Sequence, residues 1–139
     1  MRQALAALLL ALAAAPAAAQ VAPFVVTGDA VEAPLDGLAG DAGRGARIVR
    51  NRETANCLIC HTIPDPREIF MGEVGPPLAG VALRLTPGQM RLRINGAAVM
   101  PAYHRTADLL RVDPRFEGRP VLTAQEIEDV VAYLATLKE

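Results

Sequence analysis

Near the end of the chain Ile127, Val130, Val131, Leu134 and Leu137 recur at helical spacing, directly behind the string Thr123-Ala-Gln-Glu126. A Thr three residues ahead of a Glu is a capping box, in which each side chain closes an orphan backbone donor. A helix starting after Thr123 with one apolar stripe buried is therefore predicted. A second such box, Thr86-Pro87-Gly88-Gln89, predicts a short helix through Met90, Leu92 and Arg93, with Pro87 at its first position and Asn95-Gly96 stopping it. A third helix is expected from Asp41 as N-cap, with Ile48 and Val49 on its apolar side. Gly43 and Gly45 lie inside it and should cost about 1 kcal/mol each against Ala, so either it is a poor helix or another backbone comes very close. Elsewhere the periodicity dissolves. Residues 62–80, TIPDPREIFMGEVGPPLAG, carry four prolines and three glycines and predict a long loop of the kind that is usually functional. Residues 20–40 hold neither helical nor strand period for long and read as an irregular arm laid over a domain of residues 41–139. No run of alternating strands and no internal repeat is evident, so the expected class is all-α with long Pro/Gly loops.

The first nineteen residues, MRQALAALLLALAAAPAAA, do not belong to that domain. Arg2, the apolar run from Ala4 to Ala15 and the small residues Ala17 and Ala19 make a secretory signal peptide with cleavage expected after Ala19. The run is shorter than the roughly 20 residues a bilayer needs, so release rather than a membrane anchor is expected. The hydrophobic content of 52% is inflated by this leader, and the remainder of the chain has no Trp, three Phe and two Tyr. Its core is thin in large side chains. Losing Arg2 takes the formal charge from −1 to −2, which gives no reason to expect nucleic acid or an anionic membrane as partner. The distribution is more telling: seven arginines stand between Arg84 and Arg119, while the last helix carries Glu126, Glu128 and Asp129.

Both cysteines and one of the two histidines fall in NCLICHTIP, residues 56–64. On a helical turn Cys57, Cys60 and His61 occupy i, i+3 and i+4 and project from one face. A structural zinc needs four ligands, and the only further candidate is His104. A redox dithiol is expected at a helix start after a strand, which is not evident here. A plain disulfide would leave His61 idle. In a haem site all three have work: two thiols add to the vinyl groups on one porphyrin edge while the imidazole reaches the iron, and C-x-x-C-H is a haem-attachment signature. A porphyrin also supplies the large flat apolar body the core lacks. The second nitrogen of His61 needs a partner, and Pro76 in GPPLAG offers a free carbonyl. For the sixth iron position Met71, Met90, Met100 and His104 are available. Met71 lies in the loop on the His61 side, and Met90 on the apolar side of a helix reads as core. Met100 precedes Pro101, which holds it out of helical geometry on a loop, and is the candidate. His104 is its rival and otherwise reads as an exposed polar residue. A cleft bordered by Cys57, His61, Pro76 and Met100 is expected. His/Met ligation leaves no vacancy for substrate, which points to electron transfer.

The order helix, CxxCH, GPPLAG, MPA, helix resembles a class I cytochrome c, in which the first and last helices cross, here near Gly45 and Val49 on one and Val130 and Tyr133 on the other. More specifically, NRETANCLICHTIP, GEVGPPLAGVALRLT, MPAYHRT and FEGRPVLTAQEIEDVVAYLATLK resemble the SoxX family, the monohaem subunits of the SoxAX cytochromes of periplasmic thiosulfate oxidation, over about residues 41–138. The resemblance implies one covalent haem c tethered by Cys57 and Cys60, with His61 as proximal and Met100 as distal ligand. It implies a SoxA-like partner that holds the catalytic haem, a SoxYZ-like carrier whose cysteine is joined to thiosulfate, and a downstream acceptor of electrons. With both thiols used as tethers, no catalytic cysteine remains, and a non-catalytic electron-transfer subunit is expected. A free cytochrome shuttle is the alternative. Arg105, in the basic stretch after Met100, is a candidate for steering an acidic partner or an anion, or else an ordinary solvated residue.

Overall fold

A computed structural model of the chain describes residues 20–96 and 99–139; the expected leader, residues 1–19, lies outside the described residues. Among the described residues four α-helices succeed one another: α1 (Ala42–Arg50), α2 (Val81–Arg84), α3 (Pro87–Ile94) and α4 (Ala124–Leu134). Short 3-10 turns lie at Leu35–Gly37, Cys57–Ile59 and Pro114–Phe116, and the extended structure among the described residues is a single bridge between Thr27 and Ala30. The fold is all-α, as the periodicity predicts. No helix among the described residues is long and apolar enough to cross a membrane.

Both capping boxes form. Thr86 and Gln89 exchange side-chain and backbone bonds at 2.9 and 3.2 Å ahead of α3, and Thr123 and Glu126 do the same at 2.8 and 3.2 Å ahead of α4. Asp41 caps α1 by accepting from the Arg44 N–H at 2.6 Å. α2 has no such signal in the sequence, being a single turn of four residues wedged between Gly80 and Thr86.

α1 and α4 cross at Gly45. A Cβ there would strike the Asp129 carbonyl and stand 2.8 Å from Tyr133 Cβ, so the glycine is what lets the two backbones meet. A side chain at Gly43 would meet nothing but the Asp41 cap and Arg47. Of the two glycines, one is therefore explained by close packing. Val49 and Val130, buried at the same crossing, pass the contact on towards the middle of the domain.

α4 departs from the single buried stripe. Ile127, Val130, Val131 and Leu134 are buried as predicted, and so are Glu128 and Asp129. Each acid is met by an arginine distant in sequence. Arg91 of α3 grips Glu128 with two bonds of 2.7 and 2.8 Å, both side chains being 4% exposed. Arg44 of α1 grips Asp129 at 2.7 and 2.8 Å, and Asp129 also takes the Asp41 N–H and a Gln125 amide. Burial alone would push the Asp129 carboxyl up, but the bonds from Arg44, the Asp41 N–H and Gln125 outweigh it and hold the group below the usual carboxylate range. Glu128 reaches further, accepting the Leu35 N–H at 2.9 Å, while Arg91 donates to the Val31 carbonyl at 2.5 Å. The arm of residues 20–40 is thus fastened to α3 and α4 by the buried ion pair, with Ala22, Ala30, Val31 and Leu35 buried beneath it.

Candidate haem-binding site

The turn at Cys57–Ile59 comes directly after Asn56 in the left-handed region, φ 47°. It continues one residue further, with the Cys60 and His61 N–H groups both donating to the Cys57 carbonyl at 3.2 and 3.0 Å. One turn of backbone therefore carries both thiols and the imidazole. The irregular loop after it is folded back on this turn by a ladder of bonds: Gly72 N–H to Leu58 C=O at 2.8 Å, Gly75 N–H to Cys60 C=O at 2.7 Å and Leu78 N–H to Thr62 C=O at 2.9 Å. Arg50 at the end of α1 ties the loop from the other side through Asp65 at 2.8 Å, and Arg67 and Arg50 together hold the Asp65 carboxyl well below the usual carboxylate range.

His61 is set by two features of that loop. Its Nδ1 lies 2.7 Å from the Pro76 carbonyl, which can only accept, so Nδ1 is the protonated nitrogen and the neutral ring presents its lone pair at Nε2. Beneath the ring lies Gly75, where a Cβ would stand 2.6 Å from Nδ1 and closer still to Cε1. The imidazole is therefore oriented as a ligand by a carbonyl on one side and a side-chain gap below.

Cys57, His61, Pro76 and Met100 line one cleft of about 300 Å3. Its walls are mostly apolar, drawn from Val49, Leu78, Val81, Ile94, Leu122 and Leu134. Cys60 is half-exposed at the turn and is not part of the lining. The thiols are not joined to each other. Burial pushes the Cys57 thiol up to about 11, and it pushes the nearby Tyr103 hydroxyl up to about 12, with the two thiols adding to the latter. Among the described residues no group of three or more His, Cys, Asp or Glu side chains could hold a metal ion.

The other sulfur and imidazole candidates are placed elsewhere or otherwise engaged. Met71 accepts the Ile63 N–H on its sulfur at 3.3 Å within the loop, and Met90 is a buried wall residue of the cleft. His104, expected to be exposed if it is not a ligand, is 1% exposed. Its two ring nitrogens are both taken, by the Leu122 carbonyl at 2.7 Å and the Ala22 N–H at 2.8 Å, which leaves no lone pair for a metal. Arg105 is exposed.

The donor set and the cleft fit a haem. The apolar walls suit a porphyrin face, and the charged side chains of the lining are Arg84 and Arg93, the sign that suits a group bearing two carboxylates. The cytochrome c family model matches residues 42–138. The chain belongs to the cytochrome c family. A chain in the crystal structure of SoxXA from P. pantotrophus is similar to it with a TM-score of 0.73 and 35% identity, over 88% of this chain and 99% of that one. The comparison with curated proteins gave no match. Within the cytochromes c the chain is of the SoxX type, carrying haem c covalently and serving electron transfer.

Several lining residues of this cytochrome are not legible as functional in the sequence. Arg84 projects from the unsignalled helix α2 and is braced by the Ala79 and Pro77 carbonyls at 2.7 and 2.6 Å. Arg93 shows there only as part of the short helix. Tyr103 stands three residues past Met100 in MPAYH, a spacing that could have marked it as lining the same cleft.

Proposed function

We propose that this protein is the electron-transfer monohaem subunit of a periplasmic SoxAX-type L-cysteine S-thiosulfotransferase. The observation that carries the reading is the 35% identity to a chain of SoxXA across nearly the whole of both chains. Cys57 and Cys60 would tether the haem and His61 and Met100 would ligate its iron, while Arg84 and Arg93 in the cleft wall would meet its carboxylates. Bound there, the haem supplies one-electron exchange between ferric and ferrous iron. The protein's own residues set the conditions. Pro76 fixes the His61 tautomer, Gly75 leaves room for its ring, and the apolar walls exclude water. A thioether opposite an imidazole raises the potential relative to two imidazoles.

In the proposed complex a SoxA-like subunit catalyses joining of thiosulfate to a cysteine of a SoxYZ-like carrier. A sulfur–sulfur bond forms, the thiol proton leaves and two electrons are released. This chain accepts them singly and hands them to a downstream acceptor. Export by the leader, with cleavage after Ala19, places it in the periplasm. Support for a docked partner comes from Ile59, Phe70 and Val74, which are 63%, 77% and 82% exposed on the turn and loop that flank the tether cysteines. The alternative, a free shuttle, predicts no such partner. Co-expression with the SoxA-type subunit is expected to give a co-eluting heterodimer that Phe70→Asp weakens at least tenfold. Separate elution of the two subunits would favour the shuttle. Met100→Ala is expected to abolish the Met–ferric-haem absorption band and lower the reduction potential; an unchanged band would remove Met100 from the ligand set.

A further inference from the structure

Met100 stands on a loop that leaves α3 at Ile94 and returns at Tyr103, whose N–H donates to the Ile94 carbonyl at 3.1 Å. Beyond that base, the Leu122 N–H donates to the Tyr103 carbonyl at 2.9 Å, and the next residue, His104, is buried with both ring nitrogens bonded. Its Nδ1 donates to the Leu122 carbonyl, and its Nε2 accepts the N–H of Ala22, 82 residues away in sequence. A carbonyl only accepts and an amide only donates, so the ring is neutral and its orientation is fixed at both ends. His104 thereby joins the N-terminal arm to the returning limb of the Met100 loop through bonds made at both nitrogens.

The start of the arm and the rest of it are held separately: beyond Ala22 the anchors are Asp29 to Gln89 at 2.7 Å, Val31, and Leu35 to Glu128 at 2.9 Å. Ala22, 3% exposed, is fastened at His104, and Val31 is fastened to Gly88 and Arg91. Between them Val25 and Val26 are 78% and 48% exposed. The first anchor can therefore open while the others stay packed, a local opening rather than an unfolding. We propose that the N-terminal arm clamps the Met100 loop through the Ala22–His104 bond and so governs how readily Met100 yields its place at the iron. With Ala22 attached, the Tyr103–His104 segment is held against Leu122. With Ala22 detached, a buried imidazole nitrogen loses its donor, and the limb next to Met100 keeps only its bonds to Ile94 and Leu122 and opens more readily.

The clamp rests on Met100 as distal ligand, so the experiment separates the two. In the holoprotein, joining the leader directly to Phe24 removes Ala22, and Ala22→Pro removes its amide donor alone. Both variants are expected to weaken the Met–ferric-haem band and to bind added imidazole at the ferric iron about tenfold faster, the factor expected for one lost buried bond. Arg44→Ala, which loosens the α1–α4 crossing, is expected to bind imidazole at the wild-type rate. A wild-type rate in either arm variant, or equal acceleration in Arg44→Ala, overturns the clamp. Met100→Ala tells the failures apart: if it leaves the band intact, Met100 ligation falls and the clamp with it. If it abolishes the band while the arm variants behave as wild type, the clamp alone falls.

Discussion

With Cys57 and Cys60 both replaced by serine, the exported protein is expected to show no haem stain after denaturing electrophoresis. Either single replacement is expected to keep stain through its remaining tether. Serine matches the size of cysteine and leaves the turn its backbone bonds, so loss of stain isolates the thioether link from any change in shape. The double variant should also accumulate poorly. Its cleft is walled by Val49, Leu78, Ile94, Leu122 and Leu134, and the chain has no Trp with which to fill such a space from within. A group that binds the native state and not the unfolded chain stabilises the fold by mass action, and a covalent one cannot be diluted away. Stain surviving in the double variant would sink the tether assignment, whereas absence of stain from the unaltered protein would reopen the dithiol and zinc readings of the same motif.

Legibility in this chain tracks the range of the interaction. Capping boxes at Thr86 and Thr123 are complete within four residues, and each forms as the sequence predicts. Pro76 could be assigned to His61 because a proline carbonyl close behind a haem motif has few other tasks, and the bond is present at 2.7 Å. Gly43 and Gly45 together flag a close approach, because a helix interior otherwise selects against glycine, and the resemblance to class I cytochromes c puts the crossing near Gly45. Long-range polar pairing is where the sequence is silent. Glu128 and Asp129 sit beside the apolar stripe of α4 and look like solvent-facing acids, since nothing local marks their partners, Arg91 and Arg44, which lie 37 and 85 residues away. His104, a rival for the iron in the sequence, gives no sign of its burial for the same reason: that burial depends on Ala22 and Leu122, and a lone histidine in a polar stretch carries no trace of either. The helix α2 is hidden by its length, four residues being too few to show a period.

Glu128→Gln is expected to destabilise the holoprotein by about 3–5 kcal/mol, read as a lowered midpoint in urea at unchanged slope. The substitution keeps the side chain's shape and an oxygen for the Leu35 N–H, but leaves the Arg91 guanidinium charged and only 4% exposed with no counter-ion. Asp129→Asn is expected to cost less, because its partner Arg44 is 48% exposed and water can take over the charge. The contrast also reaches the arm, since Arg91 holds the Val31 carbonyl and Glu128 the Leu35 N–H from opposite ends of one pair. Replacing both partners by apolar residues, Arg91→Met with Glu128→Leu, should recover much of the loss, because an apolar pair no longer buries a lone charge. A loss below about 1 kcal/mol for Glu128→Gln would mean that Arg91 finds solvent in the folded protein, and the arm would then owe its attachment to the apolar contacts of Val31 and Leu35 rather than to the ion pair.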